Sequence, residues 1–204
     1  MQNIYLDGKS LSPSKVVCVG RNYVAHIEEL GNEVPEEMVV FNKPNSAISD
    51  ILRSQAGGEP LHYESELCFM VDNGELGAVG FGLDLTKRLL QSRLKEKSLP
   101  WERAKSFDGA VVFSPFCSFA GDIDSLSLRL EVDGLERQNG GVDLMLYKPK
   151  DIFDQIGQFL TLEEGDVIMT GTPAGVGQVH LGERFTGQIL EGSNVLIAAT
   201  WVAQ

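Results

Sequence analysis

The chain has 204 residues, 43% hydrophobic and 23% charged, which fits one globular domain over 1–204 and excludes a disordered or collagen-like chain. A net charge of −12 repels phosphate backbones and excludes nucleic acid as a partner. Cys18, Cys68 and Cys117 form no C-x-x-C pair, which argues against a disulfide framework or a structural zinc site.

No basic-then-apolar leader opens the sequence, and no apolar run approaches the roughly 20 residues that span a bilayer. The expected location is the cytoplasm, with no membrane partner.

In chain order, residues 15–20 (KVVCVG) read as a buried strand closed by glycine. RNYVAHIEELGN follows as a short helix with Gly31 as its C-terminal cap. Residues 39–41 form a short strand running into a Lys43-Pro44-Asn45 turn, and residues 54–60 read as a surface loop. Residues 64–71 (ESELCFMV) begin with alternation and end continuously apolar, the mark of a strand entering a core. Residues 78–84 give another strand, and residues 85–96 a helix with cations toward its end. Further strands are expected at 110–113, 126–132, 166–169 and 195–202, with helical spacing over 151–160. Without regular βαβα alternation, the pattern favours an α+β, β-rich fold with a few short helices.

Glu64 and Glu66 lie two apart on a strand, so both carboxylates project to one face. At the edge of an interior they repel and lose hydration, and a divalent cation offsets both costs. Two surface acids at a solvated strand end would read the same way by spacing alone. Asp84 ends a strand before a helix, where it could cap the helix or add a third oxygen ligand to a Mg²⁺, Mn²⁺ or Ca²⁺ site. His26 and Glu29, three apart on a helix, can meet, and a carboxylate-oriented imidazole makes a general base. Lys105 could stabilise developing negative charge, while Arg21 and Lys43 could pair with a substrate carboxylate. The Gly-rich turn 170–177 lacks the G-K-[ST] of a P-loop; its amides and the Thr172 hydroxyl could bind a carboxylate.

Seven stretches, VVCVGRNYVAHIEEL, FNKPNSA, HYESEL, LDLTKR, LPWERAKSFDG, GLERQNG and LEEGDVIMTGTPAGVG, together resemble the fumarylacetoacetate hydrolase family, in its small branch of acylpyruvate hydrolases and oxaloacetate decarboxylases. The resemblance implies a β-roll like that family's C-terminal domain, and a homodimer. It implies Mg²⁺ or Mn²⁺ on Glu64, Glu66 and Asp84, and a water-activating dyad of His26 and Glu29, with Lys105 beside the substrate. It also implies substrate contacts from Arg21, Lys43, Gln91, Gln138 and Thr172. The activity implied first is hydrolysis of the C–C bond of 2,4-dioxo acids to pyruvate and a carboxylate. Oxaloacetate decarboxylation and keto–enol tautomerisation use the same metal–enolate chemistry, and a silent keto-acid-binding relative is the alternative of another class. Two departures stand out: Lys87-Arg88-Leu89 replaces a common A-R-D, and GGVD fills 140–143.

Overall fold

The structure, a computed structural model, describes residues 1–31 and 33–204; Asn32, at the end of the first expected helix, lies outside the described residues. In chain order the elements that build it are β1 (Lys15–Gly20), α1 (Val24–Glu29), β2 (Val39–Pro44), β3 (Ser65–Asp72) and β4 (Glu75–Asp84). Next come α2 (Arg88–Glu96), α3 (Glu102–Lys105), β5 (Val111–Phe113), β6 (Leu126–Val132) and β7 (Leu135–Gly141). The chain closes with α4 (Pro149–Ile156), β8 (Val167–Met169), β9 (Arg184–Glu191) and β10 (Asn194–Val202). The fold is α+β and strand-rich, as the patterning predicts.

Two sheets carry the architecture. The larger runs β5-β4-β3-β8-β1-β2, with the short strand Cys117–Ser118 also on β4; the smaller runs β7-β6-β9-β10. β8 pairs parallel to β1 and antiparallel to β3, and the remaining pairings of both sheets are antiparallel. β3 is buried on both faces, which explains its unbroken apolar run. Leu67 and Phe69 face a core shared with Leu126, Leu128, Leu130 and Phe185 of the smaller sheet, while Cys68 and Met70 face a second core. Phe81 of β4 stacks on Trp201 of β10 at 5.9 Å between ring centroids. A Cβ on Gly187 of β9 would stand 2.3 Å from the Phe81 ring, so the sheets approach closely only because that position carries no side chain.

Two-residue hairpin turns start the strand pairing, and a one-residue bulge then shifts each register, between Met70 and Val71 and between Leu130 and Glu131. Asn73-Gly74 joins β3 to β4 and Asp133-Gly134 joins β6 to β7, each with both residues at positive φ (54° and 76°; 51° and 77°). That conformation matches the strand twist and favours Asn, Asp and Gly.

Several boundaries differ from the sequence reading. β2 continues through Lys43-Pro44 before a 3-10 turn begins at Asn45, so Lys43 sits in a strand and not in a turn. The 54–60 segment contains a small hairpin, Gln55–Ala56 with Glu59–Pro60. β7 and β9 were not expected as strands, because polar and glycine residues interrupt their alternation. The helix expected from residue 85 starts at Arg88, and Lys87, not Asp84, holds its N-cap position.

Asp166 fastens the entry to the central strands. Its Oδ1 accepts from the Ser14 N–H (2.8 Å), the Ser14 hydroxyl (2.8 Å) and the Lys15 N–H (3.1 Å), and its Oδ2 from the Glu163 N–H (2.9 Å) and the Lys15 ammonium. Burial pushes its pKa upward, but these donors outweigh burial and hold it below the ordinary aspartate value of 3.8. Its contribution is therefore complete above 3.8 and disappears as pH falls through the lower folded value. Asp166→Asn, which sets an amide N–H against two donors, should cost about 3 kcal/mol at neutral pH and flatten the acid limb of the stability curve. Urea unfolding of both proteins at neutral pH and at successively lower pH checks it; equal stability at neutral pH contradicts it.

Candidate metal centre

The β3–β4 hairpin places the acids. Its antiparallel register sets Ser65 opposite Leu83 and Glu66 opposite Gly82. One step further, the Asp84 N–H donates to the Glu64 carbonyl at 2.8 Å. Glu64, Glu66, Gly82 and Asp84 therefore share one face of the hairpin, and the missing side chain at Gly82 admits Cys68, Phe113 and Met169 against the backbone. A Cβ there would meet Cys68 Sγ at 2.7 Å. One carboxylate oxygen from each acid lies within 4.8 Å of the others, and all three acids are buried. The reading of a solvated strand end does not apply.

Two lysines and an arginine surround the acids. Lys105, closing α3, sets its Nζ 2.8 Å from both Glu64 Oε2 and Asp84 Oδ2, and 2.6 Å from the Thr86 hydroxyl. Lys43 Nζ stands 2.8 Å from Asp84 Oδ1 and donates to the Lys105 carbonyl. Arg88 donates to Glu64 and, at 2.8 Å, to Gln91 Oε1. Glu66 accepts instead from the Gly171 N–H at 2.6 Å.

This environment splits the carboxyl groups. For Glu64, burial alone would raise the pKa, but Lys105 and Arg88 hold it well below the usual carboxylate range. For Glu66, burial and then the negative charges of Asp84 and Glu64 push it well above that range. Burial opposes the charge on Lys105, yet Asp84 and Glu64 raise its pKa and keep it an ammonium. Three buried carboxylates, one of them driven toward its neutral form by burial and by its acidic neighbours, suit a divalent cation. The all-oxygen donor set suits a hard one.

The acids open onto a cavity of about 40 Å³, room for a few waters or the head of a small acid. Arg21, His26, Gln91, Lys105 and Thr172 line it. His26 Nδ1 stands 3.2 Å from Glu29 Oε2, and the Gly175 N–H donates to Glu29 Oε1 at 3.0 Å. The Gly-rich turn thus directs two of its amides at protein carboxylates, Glu66 and Glu29.

Two of the expected substrate contacts lie outside the cavity lining. Lys43 is fully buried behind Asp84. The Gln138 carboxamide is engaged by the Ser65 N–H (2.9 Å), the Thr172 hydroxyl (2.7 Å) and the Pro173 carbonyl (2.7 Å). Of the two departures, Leu89 points to solvent at 68% exposure while Arg88 faces the acids. A Cβ at Gly140 would come within 2.8 Å of Pro173. Sequence reasoning missed Lys95 and Trp101 in the cavity wall. The spacing of Lys95 from Arg88 and Gln91, seven and four residues, would have placed all three on one helix face.

Residues 15–199 match the model of the fumarylacetoacetate (FAA) hydrolase C-terminal family. The oxaloacetate tautomerase of Escherichia coli strain K12 is 38% identical over 190 residues, covering 85% of this chain and 87% of the relative. A mitochondrial oxaloacetate tautomerase of Arabidopsis thaliana is 39% identical over 201 residues, covering 89% of each. Among solved structures, a fumarylpyruvate hydrolase from Pseudomonas aeruginosa in complex with Mn²⁺ and pyruvate superposes with a TM-score of 0.88 at 29% identity, covering 99% of this chain and 95% of that one.

Adding Mn²⁺ at a hundredfold excess over its dissociation constant should stabilise the protein by about 2.7 kcal/mol, raising Tm by roughly 5–10 °C. Glu66→Gln, which replaces the carboxyl by an amide of the same shape that cannot ionise, should leave the metal-free Tm no lower and abolish the rise. Thermal scans with and without Mn²⁺ read both; a rise retained in Glu66→Gln contradicts the assignment. Because Glu66 must give up its proton to bind a cation, Mn²⁺ affinity should climb as pH rises toward its elevated pKa and level off above it. Calorimetric titration over a pH series checks the slope, and pH-independent affinity contradicts it.

Proposed function

From the premise that the chain belongs to the fumarylacetoacetate hydrolase family, we propose that it interconverts the keto and enol forms of oxaloacetate or a close 2-oxo acid, with Mg²⁺ or Mn²⁺ on Glu64, Glu66 and Asp84. The observation that carries this reading is a hard-cation carboxylate cluster and a carboxylate-oriented histidine facing one narrow cavity. The tautomerase names of the relatives support it. The acylpyruvate hydrolysis that the sequence resemblance put first becomes the second reading.

Keto–enol exchange needs a proton moved between C3 and the 2-oxo oxygen, and charge stabilisation at that oxygen. A bound Mg²⁺ or Mn²⁺ supplies Lewis-acid polarisation of the 2-oxo group. His26, with Glu29 holding its Nδ1 side, takes the C3 proton through its other ring nitrogen. Lys105, kept cationic by Glu64 and Asp84, donates a hydrogen bond to the enolate oxygen. Phe41 and Trp101, with rings 6.0 Å apart, give the cavity an apolar wall.

The Glu29-anchored histidine also favours the hydrolytic reading, because activating a water for attack on a 4-oxo group requires such a base. Decarboxylation of oxaloacetate needs no base. We further propose that the active protein is a homodimer with one catalytic domain per chain.

His26→Ala should slow the enol–keto interconversion of oxaloacetate by about 100-fold or more while sparing pyruvate release by decarboxylation. Decay of the enol's ultraviolet absorbance and a coupled pyruvate assay, run with Mn²⁺, separate the two. Undiminished interconversion removes His26 as the base, and a wild-type protein that hydrolyses fumarylpyruvate but leaves the oxaloacetate enol untouched overturns the reading.

A further inference from the structure

The Gly-rich turn serves both halves of the site. Its Gly171 N–H meets Glu66 at 2.6 Å, and its Gly175 N–H meets Glu29, the carboxylate beside His26, at 3.0 Å. Gly171 and Gly175 adopt φ of +96° and +102°. A Cβ would stand 2.9 Å from Asn22 Cβ at the first and 1.9 Å from the Arg137 carbonyl oxygen at the second. Both amides therefore depend on a backbone pressed against its neighbours, in a conformation that glycine adopts readily and other residues rarely do.

Two buried carboxamides hold that backbone. Asn22 donates to the Thr170 carbonyl (2.8 Å) and the Tyr147 carbonyl (2.9 Å), and accepts from the Tyr147 N–H (2.7 Å). Gln138 of β7 donates to the Thr172 hydroxyl and the Pro173 carbonyl, each at 2.7 Å, and accepts from the Ser65 N–H at 2.9 Å. Ser65 lies between Glu64 and Glu66 on β3. Gln138 thus joins the strand that carries two of the acids to the turn that holds Glu66 and Glu29. Both N–H donors of its carboxamide are committed to the turn, which leaves neither for a substrate. At 1% exposure it has no access to solvent. A side chain without the carboxamide would free the turn between its two functional amides.

We propose that Gln138 is a positioning residue that couples the metal centre to the base: by fixing the turn at Thr172–Pro173, it holds the Gly171 amide on Glu66 and the Gly175 amide on Glu29 at the same time. One brace then sets the geometry of a metal-binding carboxylate and of the His26–Glu29 pair. Gln138 acts through the turn and not on the substrate. The reaction used to read this out rests on the keto–enol reading; the link between the two carboxylates does not.

The test is Gln138→Met, which keeps the length of the side chain and removes its hydrogen bonds. Calorimetry should show Mn²⁺ bound about tenfold more weakly, and enol-decay kinetics at saturating Mn²⁺ should show kcat about tenfold lower with the oxaloacetate KM changed by less than about twofold. In a Glu29→Ala background the same substitution should lower kcat by about twofold or less, because the arm through which it acts on the base is gone. Losses that multiply in full mark a merely structural role and overturn the proposal, as does unchanged Mn²⁺ affinity. A raised KM with kcat intact also overturns it and returns Gln138 to the role of a substrate contact. Gln138→Asn, whose carboxamide stops one methylene short of its partners, carries the same measurements if the methionine variant does not fold. A wild-type protein that leaves the oxaloacetate enol untouched defeats the keto–enol reading alone. Hydrogen exchange at the Gly171 and Gly175 amides then decides with the Mn²⁺ affinity: faster exchange at both in Gln138→Met, with weaker Mn²⁺ binding, keeps the brace, and unchanged exchange overturns it.

Discussion

Mutual repulsion among three buried carboxylates is the constraint on which the rest of the site depends. Glu64, Glu66 and Asp84 bring like charges within a few ångströms in a largely buried place where screening by water is weak. The protein answers with Lys43, Lys105 and Arg88, which together match the acids in formal charge. The compensation is uneven: the cations cluster on Glu64 and Asp84, while Glu66 has a backbone N–H and two negative neighbours. A hard divalent ion corrects that imbalance and brings the Lewis acidity that enolate chemistry uses.

The fold holds the acids at this distance by backbone means. A one-residue bulge between Met70 and Val71, just beyond the two-residue turn, shifts the β3–β4 register so that Asp84 comes level with Glu64. Gly82 admits the Cys68 sulfur against the hairpin backbone, and β5 and β8 lock the hairpin from either side. Farther away, Gly187 lets the smaller sheet close on Phe81, and Asp166 ties the start of β1 to the start of β8. The acids are presented by doubly covered strands, while Arg21, His26, Gln91 and Lys105 of the cavity wall come from a loop and short helices.

The parts of this arrangement carried by local pattern were legible in the sequence. The apolar run after Glu66 announced a strand entering a core, and the period of two put Glu64 and Glu66 on one face. The spacing of His26 and Glu29 announced a contact. Long-range events were not legible. Glu64, Glu66 and Asp84 could have been surface acids or a helix cap until strand pairing joined them. Lys43 read as a turn cation because Pro44 follows it, yet it is a buried strand residue whose partner, Asp84, lies 41 positions on. Gln138 read as a substrate contact, but its carboxamide links Ser65 to the Thr172–Pro173 turn. The missed strand β7 did carry a signal, since Asp133-Gly134 is a strong hairpin dipeptide; β9 carried a weaker one.

The most direct test of the central claim is a crystal structure of the protein grown with Mn²⁺, with data collected to show anomalous scattering from the metal. One strong peak bonded to oxygens of Glu64, Glu66 and Asp84, at about 2.2 Å, is the predicted result. The contradicting result is no peak among those side chains, with the Lys105 ammonium still bridging Glu64 and Asp84 and the manganese bound elsewhere or not at all.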